Sequence, residues 1–219
     1  MVLNRGRVLR ASLLMLLAGA AVTVLVGSSR ATVQVVDDRF LDLMLDIRWT
    51  PLNWFFEAVS LLGATVVSWS LRAAAVGVLL AKRRFTQLGA FAITLVTSEL
   101  CIGPVKALID RPRPTSSLVE TTGASFPSGH AIAVTVTAVG LVLALLPPGR
   151  RRLRWELAAL VLSFAAALSR TYLGAHWLTD VVAGALIGGG LALLWPAVFE
   201  AVRARTSYDH GLLDDPVSA

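Results

Sequence analysis

Three short groups of residues in this sequence have the side-chain types and spacing to handle a phosphate. They are Lys106, Arg111, Arg113 and Pro114; Pro127, Ser128, Gly129 and His130; and Ser169, Arg170, His176 and Asp180. Arginine forks match the oxygens of a phosphate, and a lysine ammonium adds a point charge. Two of the chain's three histidines and one of its two lysines fall in these groups. This concentration indicates a phosphate-binding site.

The third group contains the pattern of an activated nucleophile. His176 and Asp180 are four residues apart at the start of a predicted helix, so their side chains share one face. A carboxylate that accepts from one ring nitrogen fixes the tautomer and leaves the other nitrogen free to attack. His130 could then supply the proton that a leaving group needs. Ser128 and Gly129 precede a predicted helix, where backbone N–H groups and the helix dipole favour an anion.

Each group also has a simpler interpretation. The pair His176 and Asp180 could be half of a metal site, and Ser128 could serve only as a helix N-cap. Pro112 and Pro114 end a predicted helix in any case. The surrounding positive charge opposes binding of a divalent cation, so we expect neither a metal nor another cofactor.

The composition is that of an integral membrane protein. Of the 219 residues, 56% are hydrophobic and 16% are charged, and the mean hydropathy is +0.71. The apolar residues fall in runs close to the ~20 residues that cross a bilayer. The net charge is +6, but Lys and Arg cluster at the ends of these runs, which favours membrane orientation over nucleic-acid binding. We expect one all-α membrane domain over 1–219.

Six membrane-spanning helices are predicted in this bundle. They cover about 11–29, 64–81, 85–108, 130–146, 153–169 and 177–199. The first run could be a cleaved signal peptide, but its length and its mediocre cleavage site favour a retained helix. The segment 30–62 is predicted to lie at the membrane interface, and 206–219 to form a flexible tail.

The basic residues predict the orientation of these helices. Clusters at 82–84 and 150–152, and the pair Arg203 and Arg205, lie on one side of the predicted bundle. The positive-inside rule places that side in the cytoplasm, together with both termini. The three phosphate-handling groups then share the extracytoplasmic face.

Two charges interrupt the predicted spans. Arg72 falls in the second span and Glu99 in the third, at similar depth if the two helices are antiparallel. An unpaired charge at that depth is costly. We therefore predict an ion pair between them; alternatively, Arg72 snorkels and Glu99 lines a wet cavity.

The three groups resemble the signature of the type 2 phosphatidic acid phosphatase superfamily, the lipid phosphate phosphatases. That signature is Lys-x6-Arg-Pro, Pro-Ser-Gly-His and Ser-Arg-x5-His-x3-Asp, and all eleven fixed positions occur here in order over 75 residues. The resemblance implies a helical core like that of acid phosphatases and vanadium haloperoxidases. It also implies an enzyme that needs no metal.

The resemblance further implies a role for each matched residue. His176 would form a phosphohistidine, Asp180 would orient it, and His130 would protonate the leaving group. The phosphoryl oxygens would be held by Lys106, Arg113 and Arg170, with help from Ser128 and the amide of Gly129, while Ser169 would shape the pocket. Arg111 lies outside the signature, and we expect it to contact a second phosphate or a headgroup.

The expected substrate is a lipid phosphate presented on the extracytoplasmic leaflet. A polyprenyl pyrophosphate, such as undecaprenyl pyrophosphate, fits best because its two phosphates would suit the additional arginine. Phosphatidic acid and phosphatidylglycerol phosphate are alternatives. A lipid phosphotransferase, or a protein that binds or moves lipids without chemistry, are further alternatives; intact His130, His176 and Asp180 argue against the last.

Overall fold

Helices make up the fold of this chain. The computed structural model describes residues 5–213, with side-chain surroundings given for 6–204, and this part contains no β-strand. Its α-helices are α1 (Arg5–Ser28), α2 (Arg30–Asp46), α3 (Thr50–Ser60), α4 (Thr65–Ala81), α5 (Phe85–Ile109), α6 (Gly129–Leu145), α7 (Arg150–Tyr172) and α8 (Leu178–Leu213). A short 3-10 turn, Leu61–Gly63, joins α3 to α4. The expected all-α architecture is confirmed.

Helices α6 and α8 form the centre of the bundle. Helix α8 packs against α1, α5 and α6, and α6 also packs against α4 and α7. Gly184 allows the close approach of α8 to α6, because a Cβ there would lie 2.7 Å from the carbonyl oxygen of Ser128. This contact places the start of α8 beside the start of α6.

The first helix is part of the bundle. Ser12 is buried and its hydroxyl donates to the carbonyl of Gly190 on α8 at 2.8 Å. Val26 near the other end of α1 is fully buried against α5 and α8. Residues near both ends of α1 are therefore in contact with the rest of the bundle.

Many large apolar side chains face outward, as in a protein surrounded by lipid. Leu14, Leu17, Leu100 and Phe164 are each about two-thirds exposed. Among the described residues, three helices are long and apolar enough to cross a membrane: Gly6–Ser28, Phe85–Ile109 and Leu178–Ala204. The pair Thr50–Gly63 and Thr65–Ala81, bent by 45°, would add a fourth if counted as one span. The chain is an integral membrane protein with three or four such helices among the described residues, and the six predicted spans stay a prediction.

The predicted ion pair between α4 and α5 is confirmed. Arg72 Nη1 lies 2.8 Å from Glu99 Oε1. The guanidinium is buried, and its Nε donates to Thr137 Oγ1 on α6 at 2.9 Å. One buried cation therefore connects three helices.

The segment 30–62, which is predicted to lie at the membrane interface, also packs against the helical bundle. It forms α2, α3 and the 3-10 turn, and Asp37, Phe56 and Ser60 are all buried against the rest of the protein. At the other end, α8 continues through 206–213 of the predicted tail, and 214–219 lie outside the described residues.

Candidate active site

The structure brings the three phosphate-handling groups to one end of the bundle. Lys106 lies in the last turn of α5, His130 in the first turn of α6, and Asp180 in the first turn of α8. Arg170 lies in the last turn of α7. Lys106, Arg113 and Arg170 lie close enough to the ring of His130 for their charges to act on it, and His176 lies near the same ring. The side chains that the sequence indicated therefore share one site.

The local sequence explains why the helices stop here. Asp110 ends α5 in the left-handed conformation with φ 38°, and the prolines that follow cannot continue the helix. Ser128 begins α6 as its N-cap, because its hydroxyl accepts from the amide of Ala131 at 3.3 Å. The loop between them, 110–128, contains Pro114 and Pro127, both buried. This loop forms one wall of the site.

His176 lies between a carboxylate and a cation. Its Nδ1 is 3.3 Å from Asp180 Oδ2, and its Nε2 is 3.2 Å from Arg113 Nη1. Asp180 is fully buried and also accepts from the backbone amide of Trp177 at 2.9 Å. The hydrogen-bond partners assign the proton to Nδ1 and the lone pair to Nε2.

The surroundings keep the ring of His176 neutral. Burial lowers the pKa of His176 to about 4, although its hydrogen bond and ionic interaction with Asp180 act in the opposite direction. The charges of Arg113 and Arg170 add to the lowering. An unprotonated imidazole with an oriented lone pair is the form that can attack an electrophile.

Backbone carbonyls hold the Arg113 guanidinium in place. It donates to Gly123 and Thr122 at 2.9 Å and to Ala175 at 2.8 Å. Lys106 also donates to this loop, through its Nζ to the carbonyl of Ala124. The cations are thus fixed before any ligand binds, which reduces the entropic cost of holding a phosphate.

Arg170 is buried with spare hydrogen-bonding capacity. It is 6% exposed, and its Nη1 donates to Ser60 Oγ on α3 at 2.7 Å. Its Nε has no hydrogen-bond partner in the described part of the chain. A buried guanidinium N–H without an acceptor fits a residue that binds an anion.

Three further signature residues, Ser128, Gly129 and Ser169, have different surroundings in the structure. Ser128 is fully buried, and its backbone amide donates to the carbonyl of Asp180 at 3.0 Å, so it joins α6 to α8 as well as capping α6. Gly129 leaves open space, since a Cβ there would meet nothing within 4 Å. Ser169 is fully buried, and its hydroxyl donates to Ala166 within α7 at 2.7 Å.

The expectation for Arg111 needs correction. Its two terminal nitrogens already bind carboxylates, with Nη1 2.9 Å from Asp180 Oδ1 and Nη2 2.6 Å from Asp37 Oδ2. The guanidinium is 1% exposed and is covered by the Trp177 ring at 5.3 Å. These contacts occupy both terminal nitrogens and leave only the buried Nε without a hydrogen-bond partner among the described residues, so Arg111 supports Asp180 and is not exposed to a second phosphate or a headgroup.

Three residues at the site were not predicted from the sequence, two in the segment 30–62 and one directly after it. They are Asp37, which binds Arg111; Ser60, which binds Arg170; and Gly63, which lies against the ring of His130. A signal existed for Asp37, because it falls on the apolar stripe of α2 with Val33 and Met44, both buried. An acidic residue on a buried stripe indicates a buried partner. Ser60 and Gly63 carried no such signal.

The donor set around His176 and Asp180 is poor in metal ligands. Within the described residues, no group of three or more His, Cys, Asp or Glu side chains is close enough to hold a metal ion. The group that contacts Nε2 of His176 is the cation Arg113, at 3.2 Å. Fold and site together define a helical membrane protein with a cluster of cations around a buried histidine.

Comparison with known proteins identifies the family. Residues 87–204 match the model of the PAP2 superfamily, and the chain belongs to that superfamily. The match begins in α5, so α1 to α4 precede it. The family resemblance noted in the sequence is confirmed.

Two curated relatives are similar to parts of the chain. An undecaprenyl-diphosphatase from Sulfolobus acidocaldarius is 36% identical over 75 residues, which is 34% of either protein. A lipid A 1-phosphatase from Rhizobium etli is 33% identical over 117 residues, covering 48% of this chain and 47% of that protein. The matches thus span about a third and about half of the length of these relatives.

Two solved structures share the fold. The transmembrane PAP2-type phosphatidylglycerolphosphate phosphatase from Bacillus subtilis aligns with a TM-score of 0.77 at 23% identity, covering 89% of this chain and 96% of that one. Aquifex aeolicus LpxE aligns with a TM-score of 0.60 at 21% identity, covering 72% and 92%. The helical bundle described above is therefore a PAP2 fold.

Proposed function

We propose that this protein is a metal-independent lipid phosphate phosphatase that works through a phosphohistidine on His176. The position of His176 carries the proposal: one ring nitrogen faces Asp180 and the other faces the cation Arg113. Binding alone would need the cations but not the oriented imidazole. The relatives named as undecaprenyl-diphosphatase and lipid A 1-phosphatase support the same class of reaction.

In the first step, Nε2 of His176 attacks the phosphorus of the bound phosphate. Arg113, Arg170 and Lys106 stabilise the charge on the phosphoryl oxygens, as fixed donors do most effectively in a site sheltered from water. The bond from phosphorus to the leaving oxygen breaks, and His130 gives that oxygen a proton. The products of this step are the dephosphorylated lipid, or its monophosphate, and phosphorylated His176.

In the second step, water attacks the phosphohistidine. His130, now neutral, takes a proton from the water as its oxygen bonds to phosphorus. The bond from phosphorus to Nε2 breaks, and inorganic phosphate leaves. Asp180 stabilises the positive charge that the His176 ring carries while it is phosphorylated.

The proposed arrangement in the membrane has six spans, cytoplasmic termini and an extracytoplasmic site. Its support is the distribution of charge: basic clusters at 82–84 and 150–152 lie at connections on the side opposite the site. A reporter fused to the C-terminus should be cytoplasmic. A periplasmic signal would invert the scheme.

The proposed substrate is a polyprenyl pyrophosphate. The similarity to the undecaprenyl-diphosphatase supports it. Arg111 no longer supports it as a ligand of the second phosphate, because two carboxylates bind this arginine. That same loss favours a second candidate, a lipid that ends in a phosphomonoester, such as phosphatidic acid or phosphatidylglycerol phosphate.

Phosphate release by the detergent-purified protein tests the proposal. Wild type and His176→Ala would be compared on undecaprenyl pyrophosphate, phosphatidic acid and phosphatidylglycerol phosphate, all with EDTA present. We expect release by the wild type and a loss of at least ~1000-fold in the variant. Full activity of His176→Ala would refute the nucleophile, and loss of wild-type activity in EDTA would indicate a metal. An added alcohol that becomes phosphorylated in place of water would show a phosphotransferase.

A further inference from the structure

A buried chain of ionic contacts leads from α2 to the carboxylate that faces His176. Asp37 Oδ2 binds Arg111 Nη2 at 2.6 Å, and Arg111 Nη1 binds Asp180 Oδ1 at 2.9 Å. Asp180 Oδ2, the other oxygen, faces His176 Nδ1 at 3.3 Å. Asp37 and Asp180 are fully buried and Arg111 is 1% exposed. These three charges therefore interact strongly with little screening by water.

Asp37 also holds the first turn of α8 directly. Its Oδ1 accepts from the backbone amide of Thr179 at 2.9 Å, and its Oδ2 accepts from the Thr179 hydroxyl at 2.7 Å. The first N–H groups of a helix have no partner within it, so Asp37 caps α8 from a different helix. Because Thr179 precedes Asp180, the same contacts fix the backbone from which Asp180 projects.

Charge balance gives Asp37 a second effect. Arg111 and Asp180 alone would form a neutral pair, and the cation would compete with His176 for the carboxylate. With Asp37 present, the buried group of three carries one net negative charge. That charge is available to stabilise the positive ring that forms when His176 bonds to phosphorus.

We propose that Asp37 is a positioning residue that acts on His176 through Arg111, Thr179 and Asp180. This inference rests on the proposed function for its meaning in catalysis. It assigns α2, which lies outside the matched family region, to the catalytic apparatus. In this role Asp37 touches neither substrate nor nucleophile, and it governs how strongly His176 can donate its lone pair.

Binding of two inorganic anions to the purified full-length protein tests the role. Orthovanadate expands its coordination by accepting a lone pair from a histidine nitrogen, whereas orthophosphate is held by charge and hydrogen bonds. Asp37→Asn removes the charge and keeps the shape. Asp42→Asn is the matched control, because Asp42 lies on the same helix, is exposed and makes no described contact.

We expect Asp37→Asn to bind orthovanadate about tenfold to a hundredfold more weakly, with binding of orthophosphate unchanged. Turnover of a lipid phosphate should fall by a similar factor in kcat with little change in KM, and Asp42→Asn should match the wild type in every measurement. Unchanged orthovanadate binding in Asp37→Asn would refute the proposal. So would an equal loss of both anions, because Asp37 would then support only the fold of the site.

A second variant covers the case in which Asp37→Asn does not fold. Thr179→Val keeps the volume but removes the hydroxyl that bonds to both Asp37 and Arg111. It should show the same selective loss of orthovanadate binding, and unchanged binding would contradict the positioning role of Asp37. A wild type that binds orthovanadate in this Asp37-dependent way but releases no phosphate from any lipid would refute the proposed function and still support the positioning role.

Discussion

Arg113 Nη1 lies 3.2 Å from His176 Nε2, at the edge of the ring opposite Asp180. The nitrogen proposed to attack therefore faces the cation proposed to bind the phosphoryl group. A phosphate that binds Arg113 arrives next to the lone pair of His176. Binding and alignment for attack are thus achieved by one contact, as effective catalysis of a displacement requires.

Arg113→Lys should damage this relationship although it keeps the charge. A lysine cannot replace a guanidinium that donates at once to Gly123, Thr122 and Ala175. We expect kcat/KM for lipid phosphate to fall about a hundredfold, comparable to the loss of one fixed donor to a transition state. Arg154→Lys, at an exposed arginine on α7, is the control and should be neutral. Equal activity of both variants would mean that only the charge of Arg113 matters.

The pKa of His176 predicts the acid side of the pH profile. Because burial lowers that pKa to about 4, the neutral ring persists well below neutrality and is lost only as the pH falls through about 4. After correction for the second ionisation of the substrate phosphate, near 6, protonation of His176 should cause no fall in kcat/KM as the pH is lowered from about 7 to about 5. Loss of the acidic proton of His130 would instead lower activity as the pH rises.

The measurement is kcat/KM across this range with a soluble phosphate ester in detergent. A corrected acid limb centred near the ordinary histidine value of about 6.5 would contradict the burial of His176. The same profile in Asp42→Asn provides the control for the change of buffer and detergent.

Much of this site could be predicted because the residues within each of its three groups lie close together along the chain, in fixed spacings. His176 and Asp180 share a helical face by their spacing, and Lys106 and Arg113 flank a helix end marked by prolines. The ion pair of Arg72 and Glu99 could be predicted because both residues lie about the same number of residues from the same end of two antiparallel helices. In each case the geometry of a helix converts sequence distance into spatial distance.

The role of Arg111 could not be predicted in this way. Its partner Asp37 is 74 residues away, on a helix whose amphipathic pattern is typical of an interfacial segment. The pattern shows that one face of α2 is buried but not what covers it. A cation beside a phosphate-binding group therefore looked like another phosphate ligand, although two buried carboxylates bind it. The number of membrane spans is also not fixed by the apolar pattern, since α6 is apolar but only 17 residues long.

Gly63→Ala should affect His130 selectively. A Cβ at Gly63 would lie 2.6 Å from Cδ2 and 3.0 Å from Cγ of the His130 ring, so the ring would have to move. If His130 protonates the leaving group, phosphatidic acid should lose about tenfold to a hundredfold in kcat, part of what a general acid contributes. An ester of p-nitrophenol, which leaves without a proton, should lose much less.

Gly77→Ala is the matched control for this prediction. It is also a glycine-to-alanine change, on α4, and an added Cβ meets nothing within 4 Å. It should leave both substrates unaffected and slightly stabilise the helix. An equal loss on both substrates in Gly63→Ala would show that the ring of His130 is not the proton donor.

The pair of Arg72 and Glu99 should contribute to the stability of the protein. Glu99→Gln leaves a cation whose side chain is 2% exposed without its carboxylate, whereas Arg72→Gln leaves a carboxylate whose side chain is 44% exposed. We expect either single variant to lower the free energy of unfolding by about 1–3 kcal/mol, because each leaves one charge at membrane depth without its partner. Thermal unfolding in detergent would rank the two variants.

The double variant separates the ion pair from the other contacts of Arg72. Its guanidinium also binds Thr137 on α6, so Arg72→Gln disturbs the packing of three helices even without Glu99. If the pair is energetically coupled, the double variant should be more stable than the sum of the single effects predicts, by about 0.5–3 kcal/mol. Additive losses would mean that the two charges are solvated separately. Arg72 would then stabilise the protein through its contacts with Thr137 and Ala133 on α6, independently of Glu99.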